Sequence, residues 1–514
     1  MLFLAKISVD EIFELLNEHD LLVHSDLIDN QTLFSAIAYN SKLVSKNCLF
    51  FCKGNFKPQY LIEAQKRGAI CYMAENHYEN VTIPGIFVKD IQKSMSLISA
   101  AFFAFPQNQL KTVAYTGTKG KTTSAYFTKA ILDETFPEKV GLFSTINTVV
   151  GNQPGDVFKS HLTTPESLDL FTNMNRVVKN GLSHLVLEVS SQAYKKDRVY
   201  NLKYDVGNFL NISPDHIGKN EHPTFADYMH CKEQLLVNSR RVVINANMDH
   251  IEDIYMAAKT TTQPEDIFMF ARKGISVNDK YPIDFEYFSK EDSLTSNQIQ
   301  INPLSEKAKS LGLKGIFKVS IAGDYNEENA TAAAISASLV GASNVDVSYG
   351  LSHTTVPGRM ESYSTKKHGK VYVDYAHNYA SLNSVLAFLH EQEPSAKISV
   401  VTGSTGDKGQ DRRSGLGKAI NQFANRAYLT TDDPGTENPK TIAQEIAEYI
   451  VKPNITVRYI ADRKAAIKNA LSESSKNNIV LVAGKGQDKY QKIDGKDVPY
   501  ESDSAIVSEL SKGL

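Results

Sequence analysis

The stretch KTVAYTGTKGKTTSAYF, residues 111–127, constrains the fold more than any other part of the chain. An apolar run, a glycine-punctuated loop and a helix-compatible segment follow one another there. That is the order in which a buried parallel strand delivers the backbone to a phosphate-binding loop at a helix N-terminus. Gly117, Gly120, Lys121 and Thr122 match the second half of the Walker pattern. In that pattern backbone amides cradle phosphates, the lysine meets the β and γ oxygens and the hydroxyl serves Mg2+. Tyr115 stands where the strict pattern has its first glycine. A tight turn with an exposed lysine is the plain alternative, but it requires neither the strand before the loop nor the helix after it.

The loop is not N-terminal. Residues 1–109 hold short apolar runs (CLFF, AICYMA) around a helix-like PQYLIEAQKRG, the texture of a small α/β domain. A chain of 514 residues is too long for one core, at roughly 100–200 residues per domain. From residue 110 the order strand, loop, helix and then a second buried strand in HLVLEVSS follows βαβ logic and predicts a parallel sheet through about residue 352. After HTTVPGRMES a new series begins at about residue 353: KVYVDYAH, KISVVTGSTGDKG, RAYLTTDDPG and NIVLVAGKGQD each end an apolar run in polar or glycine residues. The expected fold is therefore α/β, with domains at 1–109, 110–352 and 353–514. Ligands gather at the carboxyl ends of such strands.

Charged residues make up 22% of the chain and the formal net charge is −2, which leaves no polycationic surface for nucleic acid. The four cysteines, Cys48, Cys52, Cys71 and Cys231, lack the spacing of a zinc cluster or disulfide framework. The N-terminus places acidic residues where a signal peptide would continue its apolar core. No apolar run reaches the roughly 18 residues of a membrane span. The expectation is a cytoplasmic protein with no membrane insertion, taken as a monomer.

Beyond the loop, Glu188 follows the apolar HLVL at a strand end, where a carboxylate can complete a magnesium site or simply be solvated. NISPDHIGKNEH offers Asn211, Asp215, His216 and His222; lone histidines are more often structural than ligating. Lys232 is the odd residue. With TFADYMHCKEQLLV read as a helix, Phe225, Tyr228, Met229, Leu235 and Leu236 lie at −7, −4, −3, +3 and +4 from it, so the amine sits on the apolar stripe. Desolvation lowers a lysine pKa, and a neutral amine can act as a nucleophile or take up CO2 as a carbamate. A lysine snorkelling from the stripe edge is the alternative that helix geometry alone leaves open.

Together TGTKGKTT, EVSS, NISPDHIG, the Lys232 helix, GDYNEENA, VPGRME, DYAHN, DDPGTENP and GKGQDKYQ, in this order over nearly the whole chain, resemble the Mur ligases of peptidoglycan synthesis. The resemblance is strongest to the branch that adds the third stem-peptide residue to UDP-N-acetylmuramoyl-L-alanyl-D-glutamate. It implies a UDP-binding N-terminal domain, a central ATPase domain and a Rossmann-like C-terminal domain that brings in the amino acid. It also implies that Gly117, Thr118, Lys119, Gly120, Lys121, Thr122 and Thr123 hold ATP, with Mg2+ on Thr122, Glu188 and His216. Lys232 would be carbamylated to N6-carboxylysine as the ligand of a second Mg2+. Asn326 and Asn329 resemble adenine-side contacts, with helix capping as the alternative. Arg359, Asp374 and His377 would close over ATP from the third domain. Ser41 resembles a uridine-side serine, and Thr163, Thr164, Ser190 and Arg198 resemble contacts to the muramoyl dipeptide. HLTTPES could equally start a helix in which Thr164 caps and Pro165 opens the first turn. GSTGDKGQDRR leaves open whether Arg412 or Arg413 faces the amino acid.

The implied reaction converts the D-glutamate γ-carboxylate into an acyl phosphate at the expense of ATP, and the α-amine of the incoming amino acid then displaces phosphate. Family members that add meso-diaminopimelate usually carry Asp-Asn-Pro-Arg where this chain has Asp432, Asp433, Pro434 and Gly435. Without the arginine, and with an added carboxylate, the site suits the ammonium of L-lysine, and Asp488 adds a further acid. L-ornithine, one methylene shorter, is the runner-up and meso-diaminopimelate a further alternative. A folylpolyglutamate synthetase has no domain ahead of its phosphate loop, and a non-catalytic switch needs no lysine on an apolar stripe.

Overall fold

The computed structural model describes residues 5–215, 217–218, 221–275, 281–292, 297–321, 323–365 and 368–513. Backbone contacts divide the chain into two compact units: Met1–Phe288 with Gln300–Phe317 and Glu327–His353, and Ser289–Ile299 with Lys318–Asn326 and Thr354–Leu514.

The N-terminal part of the first unit is a five-stranded sheet, ordered Leu22–Ser25, Gly85–Val88, Ala69–Ala74, Cys48–Phe51, Ala36–Ala38. Of its four pairings the first is antiparallel and the other three are parallel. The apolar run CLFF is a strand buried on both faces. Leu49 and Phe51 pack on one side against the helices Val9–Glu18 and Ile91–Phe102, while Cys48 and Phe50 pack on the other against Pro58–Arg67. Pro58 opens that last helix at its first turn, where a missing N–H costs nothing.

The phosphate-loop strand Lys111–Thr116 lies inside an eleven-stranded sheet, between His184–Glu188 and Tyr204–Phe209 and parallel to both. Its register with His184–Glu188 sets Tyr115 opposite Glu188, so the loop and that carboxylate leave the sheet side by side. The parallel run extends from Val140–Phe143 to Phe285–Asp292. Helix Lys121–Thr135 follows the loop directly, and helix Phe225–Val237 follows Tyr204–Phe209.

In the second unit a six-stranded sheet runs Glu361–Tyr363, Lys370–Asp374, Ile479–Ala483, Ile398–Thr402, Arg426–Leu429, Thr456–Tyr459. All pairings except the first are parallel. Because they are parallel, the four strand ends singled out in the sequence open on one edge. The four cysteines are buried and free. No helix among the described residues is long and apolar enough to cross a membrane.

Candidate active site

The phosphate loop is folded around two amines. Lys121 Nζ donates to Gly117 O at 2.7 Å and to Thr118 O at 3.3 Å. Lys232 Nζ donates to the same Gly117 oxygen at 2.7 Å and lies 4.7 Å from the centroid of the Tyr228 ring. Helix Phe225–Val237 is capped by Thr224, whose hydroxyl accepts from Asp227 N, and Lys232 is only 2% exposed on its buried face. Burial, reinforced by the charge of Lys121, drives the Lys232 pKa well below that of an ordinary lysine, with Asp215 opposing. Lys119 is pushed down to about 8 by the same burial, again opposed by Asp215, and its amide donates to Asn211 Oδ1 at 2.9 Å. Thr118 Oγ1 stands 3.1 Å from the Tyr228 hydroxyl. Gly120 must be glycine: its φ is +83°, and a Cβ would lie 2.2 Å from Asn329 Oδ1.

The loop threonines meet a carboxylate. Thr122 Oγ1 donates to Glu188 Oε1 at 2.8 Å, Thr145 N to the same oxygen at 2.7 Å, and Thr145 Oγ1 to Oε2 at 3.0 Å. Glu188 is 1% exposed, and Thr123 is buried beside Thr122. A hydroxyl and a carboxylate at the carboxyl end of the sheet are hard oxygen donors, which fit Mg2+. His216, expected as a metal ligand, lies outside the described residues. Asn326 and Asn329 are both buried, one turn apart within helix Asp324–Leu339, and Ser124 Oγ donates to Asn329 Oδ1 at 3.3 Å. They lie inside the helix rather than at its cap.

Thr164, Ser190 and Arg198 form one cluster. Thr164 Oγ1 accepts from Ser190 N at 3.0 Å and donates to Glu188 O at 3.1 Å, and Arg198 donates to Thr164 O at 3.2 Å. The capping alternative fails: the helix runs Ser167–Lys179 with Glu166 at its N-cap, because the Thr164 hydroxyl is committed to the neighbouring strand end. The Thr163 and Thr145 hydroxyl oxygens lie 3.1 Å apart. Sequence reasoning missed the acid beside this cluster. Glu166 pairs with Arg198 at 2.9 Å and with Lys53 of the N-terminal sheet at 2.5 Å, and Tyr39 donates to Asp169 at 2.5 Å. These partners are 113 and 130 residues apart in sequence, and no motif marks them. Beside them His161, Glu166, Asp169 and Arg176 help line a cavity of about 280 Å3. Ser41 is 6% exposed and donates to Glu63 at 2.8 Å.

In the second unit the strand ends enclose a cavity of about 90 Å3 lined by His377, Ser404, Arg412, Asp432, Asp433, Lys485 and Asp488, among others. Here the alternatives Arg412 and Arg413 separate. Arg413 is 2% exposed and paired with Glu437 at 2.9 Å and Glu445 at 2.7 Å, so it braces the loop, whereas Arg412 lines the cavity. Lys485, buried, bridges Asp433 at 2.8 Å and Asp488 at 3.3 Å. Asp433 Oδ1 also accepts from Lys492 N at 2.9 Å. Burial raises the Asp432 carboxyl, against the pull of Lys485 and Arg463. Neither aspartate caps the next helix, whose N-cap is Asn438. Gly435 takes φ +59°, and a Cβ there would lie 2.0 Å from Asp407 Oδ2. The Asp374 carboxylate is filled by the amides of Met360 and Ala376, so it fixes the turn bearing Arg359. Arg359 stacks 5.4 Å over Tyr375 and keeps a buried Nε with no partner among the described residues. His377 Nδ1 lies 2.8 Å from Tyr375 O.

Residues 115–337 match the Mur ligase middle domain, and residues 358–486 the Mur ligase glutamate ligase domain. The chain is 52% identical over 510 residues to the UDP-N-acetylmuramyl-tripeptide synthetase of Ligilactobacillus salivarius, covering 99% of this chain and 100% of that one. It is 44% identical over 513 residues to the UDP-N-acetylmuramoyl-L-alanyl-D-glutamate--L-lysine ligase of Enterococcus faecalis, covering 97% and 98%. Among solved structures, a UDP-N-acetylmuramoyl-L-alanyl-D-glutamate--2,6-diaminopimelate ligase superposes with a TM-score of 0.65 at 22% identity, over 99% of each chain. MurF from Acinetobacter baumannii superposes with 0.64 at 17%, also over 99% of each; at such identities the likeness speaks for the fold. Identity of about half along the full length, on a sheet edge built around phosphate-loop amines, leads to one conclusion: the chain belongs to the Mur ligase family.

Proposed function

We propose that the protein is an ATP-dependent, ADP-forming ligase that joins the α-amine of L-lysine to the D-glutamate γ-carboxylate of UDP-N-acetylmuramoyl-L-alanyl-D-glutamate, a step of peptidoglycan precursor synthesis. The names of its relatives support the acyl substrate and reaction class. The observation that carries the reading is the buried Lys232 amine, sharing the Gly117 carbonyl with Lys121 beneath the phosphate loop.

Residues 1–109 would hold the UDP moiety, with Ser41 on the uridine side, residues 110–352 ATP, and residues 353–514 the amino acid. A carboxylate is a poor electrophile, so its oxygen must first take the γ-phosphoryl group of ATP, with ADP leaving. Lys121 and the loop amides would hold the phosphates in line, and Arg359 would offset charge on the transferring group. Asn326 and Asn329 are suited to the adenine side. Mg2+ would be held by Thr122, Glu188 and His216 and would supply neutralisation of phosphate charge.

Lys232, neutral in its buried setting, is suited to add CO2 at Nζ, losing a proton and becoming a carbamate with oxygen donors for a second cation. Thr163, Thr164, Ser190 and Arg198 would orient the muramoyl dipeptide. Arg412 would take the α-carboxylate of the incoming amino acid, and the acids around Lys485 its side-chain ammonium. The neutral α-amine then attacks the acyl carbon, the C–O bond to phosphate breaks, and the amine proton goes to solvent. Because an acyl phosphate hydrolyses, water must be kept from it until the amine arrives.

The test is a ligase assay with ATP and the muramoyl dipeptide, offering L-lysine, L-ornithine and meso-diaminopimelate in turn. A tripeptide product with the highest kcat/KM for L-lysine is expected. Preference for meso-diaminopimelate would sink the assignment of the amino acid, and no ADP-coupled product with any of them would sink the ligase reading.

A further inference from the structure

His222 is fully buried between the helix that follows Ser190 and the helix that carries Lys232. Its Nδ1 lies 2.6 Å from Asp227 Oδ2 and its Nε2 lies 2.9 Å from Ser191 Oγ. A carboxylate at Nδ1 fixes the proton there, so Nε2 accepts from the serine hydroxyl. Ser, His and Asp are thus in the order of a nucleophile, base and orienter, but Ser191 is 3% exposed, which denies it to any substrate. Cys231 joins His222 and Asp227 within 4.8 Å in a group with metal-ligating atoms. The hydrogen bonds argue against a metal there: both imidazole nitrogens face protein partners, and Asp227 also pairs with Lys195 at 2.7 Å.

What the network does is join two parts of the active site. Ser191 and Lys195 are the first and last residues of the short helix that follows Ser190. Asp227 belongs to the helix that carries Lys232. The helix after Ser190 is therefore pinned to the Lys232 helix at both ends, once through His222 and once directly. The His222 ring also meets Tyr228 edge-on, with centroids 5.2 Å apart, and Tyr228 touches both the Lys232 amine and Thr118 of the phosphate loop.

We infer that His222 is a positioning residue that fixes the Ser190 segment relative to Lys232, so that the acyl substrate and the phosphate loop keep one register. This rests on the ligase reading above. Varying one substrate at a time separates the two. For His222→Ala, kcat/KM for the muramoyl dipeptide should fall about 10- to 100-fold, the cost of displacing a reacting group by about an ångström, while KM for ATP and L-lysine should change less than about threefold. Uptake of 13CO2 at Lys232, read by NMR, should fall in parallel. His222→Gln, whose amide can donate to Asp227 and accept from Ser191, should restore most of both. A His222→Ala enzyme with wild-type constants overturns the inference. So does a loss shared equally by all three substrates, with a lowered Tm, that the glutamine does not rescue. Wild-type protein that forms no tripeptide overturns the ligase reading and this inference with it.

Discussion

At the phosphate loop two lysine amines, Lys121 and Lys232, lie 2.7 Å from one carbonyl oxygen. At the corresponding edge of the second unit one lysine, Lys485, lies between two carboxylates at 2.8 and 3.3 Å. Both edges are carboxyl ends of parallel strands, and each buries one lysine, Lys232 and Lys485. The consequences are opposite. A carbonyl offers Lys232 a dipole but no countercharge, so burial wins and its pKa falls. Burial pulls on Lys485 too, but Asp432, Asp433 and Asp488 outweigh it and its pKa rises. On the proposed reading the first edge would take anionic oxygens, from phosphate or from CO2, while at the second Asp432, Asp433 and Asp488 surround Lys485. On that reading, the side chains at its strand ends would suit the same architecture to ligands of opposite charge.

The sharpest way to break this comparison is Lys232→Ala. Turnover should fall about a thousandfold, the scale of losing one preorganised electrostatic group. Added formate or acetate should restore part of it by entering the vacated space. A fully active variant would show that the first edge does not depend on the amine. Asp433→Asn should act on the other edge alone. Removing one partner of a buried charge pair costs about 2 kcal/mol, so kcat/KM for L-lysine should drop about thirtyfold while KM for ATP stays unchanged. Equal losses for ATP and lysine would mean that the two edges do not divide their ligands as proposed.

Smaller effects sharpen the comparison through the backbone. Gly120→Ala and Gly435→Ala place a Cβ 2.2 Å from Asn329 Oδ1 and 2.0 Å from Asp407 Oδ2, each at positive φ. Each should destabilise its own unit by about 2 kcal/mol in denaturant titration. An unchanged midpoint would show that the loop in question can relax. The smallest effect tests the rule of uncompensated burial beside Arg198, outside the two strand edges. Asp197 is raised from 3.8 to about 6 by burial, aided by Asp90 and opposed by Lys93. Between those pH values the folded chain binds more protons than the unfolded one, so stability falls as pH rises, and the full cost applies above about 6. Asp197→Asn should therefore gain about 1 kcal/mol at pH 7, allowing for solvent screening, and nothing below pH 3.8. A gain that is the same at every pH would remove the electrostatic explanation.

The motifs read from the sequence were those whose physics is local. Strand, loop and helix at 111–135 are set by apolar runs and glycine spacing within a few residues of one another. Lys232 could be placed on a buried helix face because a period of 3.6 residues relates it to Tyr228, Leu235 and Leu236, all buried with it. The start of the helix after Thr164 was not legible in the same way. A threonine before a proline satisfies the capping pattern, but the hydroxyl found a better partner at a strand end 24 residues away.

By itself the sequence determined the order of elements, the phosphate loop and the absence of an arginine at position 435, since each depends on residue identity and near neighbours. Tertiary structure decided which charges are compensated. It brought Lys53 to Glu166 across 113 residues, committed Arg413 to Glu437 and Glu445 so that Arg412 lines the cavity, and set Lys485 among acids that include one 53 positions earlier. It also showed that residue 435 takes a positive φ, where a Cβ would meet the Asp407 carboxylate at 2.0 Å. The physical reason is one of range. Periodicity and turn chemistry act over a few residues along the chain, whereas desolvation and Coulomb energy act through space, and their sign is fixed only when strands distant in sequence close into one sheet edge.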